Sequence, residues 1–360
     1  PEPIQLWRCF SHWLGGMGIV LLGLAILPLV GHGGMSLYRA EFSGAKSEKL
    51  KPRITETVLA LYKLYVAFTV AELVALRVAG MTWFEATCHA FSTLGTGGFS
   101  TRNASVGGFQ NPTIEWIVIV FMVIAGISFV QHYRLFVERR PRSFFTDFEV
   151  RAYLLVALAA AALIVPTLVF FNGYGLARAV RGAAFQVGAI ITTTGFGTEN
   201  FELWYPLAQM ILLGLMFVGG CTGSTAGGLK VSRFVLLARV VGREFRRMVE
   251  RHGVFNVRLG GRVIPETTIQ SLLNLIYLAL VVLAVSCLLL AAQGVDLLTS
   301  LAASVACMFN IGPGFGSVGP AENYAHLPAL AKWVLAGCML AGRLEFYTVI
   351  VILTPAFWRK

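Results

Sequence analysis

Three glycine-rich segments carry the residue types most suited to chemistry in this chain. They are Thr93-Leu94-Gly95-Thr96-Gly97-Gly98-Phe99-Ser100, Thr192-Thr193-Thr194-Gly195-Phe196-Gly197 and Asn310-Ile311-Gly312-Pro313-Gly314-Phe315-Gly316. The chemistry they could perform is coordination of a bare cation. Carbonyls of an extended strand can replace an ion's hydration shell, and glycine admits the left-handed angles needed when neighbouring carbonyls turn the same way. An aromatic beside the glycine can anchor the strand from behind. The candidate coordinating positions are Thr96, Gly97 and Gly98 in the first segment, and Thr193, Thr194, Gly195 and Phe196 in the second. Asn310, Ile311, Gly312 and Pro313 supply them in the third. No carboxylate lies within the segments. Carbonyl coordination without acids suits a monovalent ion that sheds water easily, which favours K⁺ over Ca²⁺ and leaves Na⁺ and Rb⁺ open. One such segment alone would read as an external turn; three in equivalent places favour coordination.

Elements able to hold such backbone must be membrane-embedded. The chain has 360 residues, 56% hydrophobic and only 13% charged, with mean hydropathy +0.72; a soluble domain carries about 25% charged residues. Apolar residues lie in blocks at 14–30, 58–78, 114–130, 154–171, 207–218, 272–292 and 334–357, and several of these are about 20 residues, the length that spans hydrocarbon as a helix. The stretches before the glycine-rich segments, 83–91, 177–191 and 296–309, are too short to span and suit re-entrant half-helices. Their C-terminal carbonyl ends would favour a cation. One unit therefore recurs: span, half-helix, glycine-rich segment, returning span. It runs over 54–136, 149–239 and 266–357. Residues 13–30 read as the closing span of a further unit. The opening Pro1-Glu2-Pro3, without Met or a basic start, gives no cleavable signal and reads as the interior of a longer chain.

Net charge is +11, but its distribution argues against nucleic acid. Basic residues cluster at Arg39–Lys63, Arg134–Arg151 and Lys230–Arg262, while the glycine-rich stretches are poor in them. This is the positive-inside pattern, with the clusters cytoplasmic. Glu72, Glu85, His89 and Glu115 are too dispersed for an enzyme centre. The six scattered cysteines read as small buried hydrophobes. Gly314–Gly319 satisfies a dinucleotide fingerprint without a βαβ unit, and Gly223–Lys230 misses a phosphate loop by one residue.

Two features suggest a gate. The apolar pattern over 203–239 is interrupted by Gly219–Gly228, which predicts a broken helix with a loop beneath the glycine-rich segments; close packing of small residues is the plainer alternative. Arg343 falls in the middle of the last span, where an arginine costs about 2.5–3.5 kcal/mol and must face water or a partner. Glu345 is one such partner. A cation below the coordinating strands would repel ions or tether the loop.

The motifs Trp13-Leu14-Gly15-Gly16-Met17-Gly18, Thr96-Gly97-Gly98-Phe99-Ser100, Gly219–Lys230, Asn310–Gly316 and Gly342-Arg343-Leu344-Glu345 together resemble the TrkH family of bacterial Trk K⁺ uptake systems, in the superfamily that includes KtrB and HKT transporters. The resemblance implies an all-α integral membrane fold of four M1–P–M2 repeats around one pore. The divisions would be 1–38 (the last helix of an incomplete first repeat), 39–140, 141–262 (with the broken helix and a basic cytoplasmic segment) and 263–360. One of the four filter strands would then precede this chain. It further implies a loop of Gly219, Gly220, Gly223, Ser224, Thr225, Gly227 and Gly228 that obstructs the pore with Arg343 and moves on activation. A TrkA-like cytosolic nucleotide-binding partner, a homodimer, the bacterial inner membrane, K⁺ as the transported ion and no cofactor bound by the chain are also implied. The alternatives are a Na⁺-coupled or Na⁺-permeable relative, or a non-conducting membrane scaffold; glycine at Gly97, Gly195 and Gly312 favours K⁺. The arginines of 239–262 suit either lipid head groups or the cytosolic partner.

Overall fold

A computed structural model describes residues 2–17, 54–250, 253–344, 346–352 and 354–358. Among the described residues the regular structure is helical apart from one hairpin of two-residue strands, β1 (Arg258–Leu259) with β2 (Arg262–Val263), paired antiparallel with Arg258 opposite Val263. Among the described residues, three long apolar helices can cross a bilayer: α2 (Ile54–Val78), α7 (Phe148–Phe170) and α11 (Glu266–Ala291). Only 28% of the most apolar window of each is buried within the protein. The remainder is half-buried or exposed, with Leu155, Leu158 and Leu163 of α7 among the exposed residues, which requires an apolar solvent around it. This is an integral membrane protein.

Each long helix is followed by a short one that the protein buries. These are α3 (Trp83–Leu94), α8 (Leu176–Ile191) and α12 (Leu297–Met308). The expected half-helices 83–91, 177–191 and 296–309 are therefore present, with α3 longer by three residues and Asp296 serving as N-cap of α12 through a 3.0 Å bond from Thr299 N. Thr82 and Glu85 form a reciprocal capping box on α3. Returning elements follow: α4 (Pro112–Ala125) with α5 (Phe129–Phe136), α9 (Pro206–Val218) with α10 (Val231–Val249), and α13 (Ala329–Arg343) with α14 (Phe346–Ile352) and α15 (Pro355–Trp358). Between α5 and α7 lies α6 (Pro141–Thr146).

Three expectations about spans need correction. The apolar run 114–130 is not one helix: α4 and α5 meet at 101° across Gly126-Ile127-Ser128. The run 334–357 is not one continuous helix: α13 ends at Arg343 and α14 begins at Phe346, so Arg343 sits at a break within the run. The first described helix, α1 (Glu2–Gly16), begins well before residue 13, so Trp13 belongs to its final turns; residues 18–30 lie outside the described residues. The polar side chains Gln5, Ser11 and His12 along α1 lowered its hydropathy and hid it.

Candidate ion-coordination segments and the loop beneath them

The three half-helices end in one backbone conformation. After α3, Thr96 N donates to Thr93 O (3.0 Å) and Gly97 N to Ser92 O (2.7 Å). After α8, Thr193 N donates to Ile190 O (3.0 Å) and Thr194 N to Ala189 O (2.9 Å). After α12, Asn310 N donates to Cys307 O (3.1 Å) and Ile311 N to Ala306 O (2.8 Å). The non-glycine residues Thr96, Thr193 and Asn310 share φ of 56°, 54° and 56°. Left-handed backbone at three such residues is held by the surrounding hydrogen bonds.

This register corrects one equivalence. The glycine two residues on is Gly98 (φ 68°), Gly195 (φ 76°) or Gly312 (φ 111°), so Gly98 and not Gly97 matches the other two. The segments lie against one another. A Cβ on Gly98 would strike the carbonyl oxygen of Thr194, and one on Gly195 the carbonyl oxygen of Ile311. Pro313 packs beside Gly195. Phe196 is fully buried and stacks on His89 with ring centroids 5.8 Å apart, a rear anchor for its strand. The third segment differs: Tyr324 OH donates to Gly312 O at 2.7 Å, engaging that carbonyl.

Below the segments, Gly219–Gly228 forms a pinched loop between α9 and α10. At its neck, a Cβ on Gly219 would sit 2.9 Å from Gly228 Cα, so the two ends touch and both glycines take positive φ. Val231 N closes the neck on Gly220 O at 3.1 Å. Loop and segments are bonded directly. Thr96 Oγ1 donates to Thr225 O (3.0 Å), and Gly227 N donates to Thr193 Oγ1 (2.6 Å). A Cβ on Gly227 would also meet Phe309 O, at the end of α12, at 2.8 Å. One loop thus touches the foot of all three half-helix units. Arg343 donates from Nη1 to Thr225 O at 3.4 Å, and the Lys230 ammonium caps the Ala226 carbonyl. Ser224 turns inward on the loop, to Cys221 O, and bonds no segment.

Sequence reasoning missed the residues that hold this loop from outside. At the break between α4 and α5, Cys221 N donates to Gly126 O (2.8 Å) and Phe129 N to Gly223 O (3.0 Å). Thr225 Oγ1 donates to Ala125 O at 3.2 Å. Glu149, buried near the start of α7, accepts from Thr222 N at 2.6 Å. A carboxylate at the edge of an apolar span was the signal that could have found it. Loss of this acceptor leaves a partly buried N–H unpaired, at a cost of about 1–3 kcal/mol. In a background keeping Cys221 as the one cysteine, Glu149→Ala is expected to speed thiol labelling of buried Cys221 roughly tenfold. An unchanged rate would show that the loop does not depend on Glu149. Above the segments, Glu202 accepts from Gly316 N at 2.5 Å and ties the outer loops together; burial pushes its carboxyl above the usual range, against the pull of that N–H.

Among the described residues, no group of three or more His, Cys, Asp or Glu side chains is placed to hold a metal ion, and the polar groups that converge are backbone and hydroxyl. Buried half-helices ending on matched glycine-rich strands, above a loop bonded to all of them, define a helical membrane protein of the class that handles ions at membrane depth. Comparison with known proteins agrees. Residues 1–360 match the TrkH family, described as cation transport protein, and the chain belongs to that family. It is 42% identical over 362 residues to the Trk system potassium uptake protein TrkH of Salmonella typhimurium, covering all of this chain and 74% of that one. It is 41% identical to the Escherichia coli K12 protein of the same name, with the same coverage. The crystal structure of the potassium transporter TrkH from Vibrio parahaemolyticus superimposes with a TM-score of 0.87 at 37% identity, over 100% of this chain and 74% of that one.

Proposed function

We propose that this chain is a K⁺-transport subunit of a bacterial Trk-type uptake system in the inner membrane, with the three glycine-rich segments as filter strands and the Gly219–Gly228 loop as the gate. The observation that carries the reading is the shared backbone of Thr96–Gly98, Thr193–Gly195 and Asn310–Gly312, joined to one loop by hydrogen bonds from two of the segments and close contact at the foot of the third. Each strand follows the C-terminal end of a half-helix, where partial negative charge favours a cation. The strands offer carbonyl and hydroxyl oxygens without acids, the donor set for a monovalent ion. The relatives named above are potassium uptake proteins, which supports K⁺ as the ion. In this reading the repeat divisions are 1–38, 39–140, 141–262 and 263–360. Two copies associate, and a TrkA-like nucleotide-binding partner acts on the gate from the cytosol.

The test is ⁸⁶Rb⁺ uptake into liposomes holding the full-length protein. Inhibition by external K⁺ and not by Na⁺ is the expected result. Inhibition by both would favour the Na⁺-permeable alternative. No flux, with or without partner and nucleotide, would favour a scaffold.

A further inference from the structure

A second site lies away from the glycine-rich segments. A cavity of about 590 Å³ opens between α10 and the turn that follows it, lined chiefly by Arg239, Gly242, Arg243, Arg246, Phe255 and Arg258. The volume is that of an ordinary small-ligand pocket. Its walls are built. Leu236 and Val240 of α10, Val257, Leu259 and Ile264 around the hairpin, and Ile269 and Leu272 of α11 form one buried apolar cluster. That cluster clamps helix and hairpin to the foot of α11.

The four arginines divide into two pairs. Arg243 is buried and bidentate on Glu266, with Nη1–Oε2 at 2.7 Å and Nη2–Oε1 at 3.0 Å, and it also touches Glu244. Arg239 donates to the carbonyl of Arg258. These two are held as wall. Arg246 and Arg258 are exposed, and neither guanidinium has an ion pair or hydrogen bond among the described residues. Sequence adds to the imbalance: residues 239–262 hold seven arginines and two glutamates. Clustered positive charge on a concave wall focuses a field for anions, and the guanidinium fork matches phosphate oxygens bidentately.

We propose that this cavity binds a phosphate group, with Arg246 and Arg258 as the donors and Arg239 and Arg243 as the fixed wall. The proposal is independent of the ion conducted. The phosphate has two possible sources, an anionic lipid head group or a soluble phosphate compound. Because Arg243 pairs with Glu266, the first residue of the span α11, the cavity sits at the depth where head-group phosphates also lie.

The experiment records the thermal unfolding midpoint of the full-length protein in detergent. One arm compares inorganic phosphate with chloride at matched ionic strength. The other compares dioleoyl phosphatidylglycerol with dioleoyl phosphatidylcholine. At least one phosphate-bearing anion should raise the midpoint by about 2–4 °C, and Arg246→Gln/Arg258→Gln should abolish that rise. A rise with phosphatidylglycerol alone assigns the lipid source; a rise with inorganic phosphate assigns a soluble one. If the double variant is itself unstable, the single variants should each cut the rise, and Arg258→Lys should keep part of it. No rise with either anion, or a rise that the variants retain, would overturn the proposal.

Discussion

Gly195→Ala is expected to lower ⁸⁶Rb⁺ uptake at least about a hundredfold, the rate equivalent of about 2.7 kcal/mol. Gly195 stands at φ 76°, where an L-residue is strained by about 1–2 kcal/mol. Its added Cβ would drive into the Ile311 carbonyl oxygen of the neighbouring strand. Backbone, not a flexible side chain, is what it meets, so the strands must separate. The matched control is Gly197→Ala, two residues on. There the nearest atom to a new Cβ is Pro320 Cβ at 4.0 Å, and uptake should stay near that of the unaltered protein. Equal amounts of folded protein in the membrane must be shown for both. Undiminished, K⁺-selective uptake by Gly195→Ala would remove the filter role from this strand.

Arg343→Ala should act in the opposite direction and raise basal uptake by about tenfold. The guanidinium reaches the Thr225 carbonyl of the loop, and Thr225 O also accepts from Thr96 beneath the first segment. A unit charge about 10 Å from a passing cation opposes it by about 1.7 kcal/mol at an effective dielectric of about 20. Arg343→Lys separates charge from tether. It keeps the repulsion while giving up the planar fork, so its uptake should stay within about twofold of the starting value. If alanine and lysine raise uptake equally, the tether and not the charge sets the barrier. If alanine leaves uptake unchanged in folded protein, Arg343 is no barrier at all.

The fold class was legible because length and apolarity alone identify spans. The most apolar windows within 58–78, 148–170 and 266–291 have mean hydropathy of 1.7, 2.5 and 2.7, and no soluble packing would leave Leu155, Leu158 and Leu163 uncovered. Half-helices were legible from the same logic in reverse, as apolar stretches too short to span. The interruption at Gly219–Gly228 was legible from small polar residues inside an apolar pattern.

What escaped was tertiary. His12 Nε2 donates to Gly95 O (2.9 Å), and Gln5 donates to Ser100 O (2.9 Å). The polar face of α1 is thus spent on a glycine-rich segment, and hydropathy reads such residues as a helix stop. The bend at Gly126-Ile127-Ser128 escaped because no charge interrupts the run around it. Gly97 was matched to Gly195 by appearance, and only the hydrogen-bond register shows that Gly98 is the equivalent residue. The break of the last apolar run at Arg343 escaped because apolar residues continue past it into α14.

The bend between α4 and α5 sets a thermodynamic condition on the loop. A broken helix strands backbone groups at the break, and here Gly126 C=O and Phe129 N–H find their partners in Cys221 N–H and Gly223 C=O. The helix therefore depends on the loop as much as the loop depends on the helix. Moving Gly219–Gly228 away takes the loop partners from two carbonyls, of Ala125 and Gly126, and one amide, of Phe129, at about 1–3 kcal/mol for each left unpaired. That cost falls if water enters as the loop leaves, or if residues 125–129 rewind into continuous helix. The two elements are thus one cooperative switch: a substitution that straightens the helix favours the displaced loop, although it touches no loop residue.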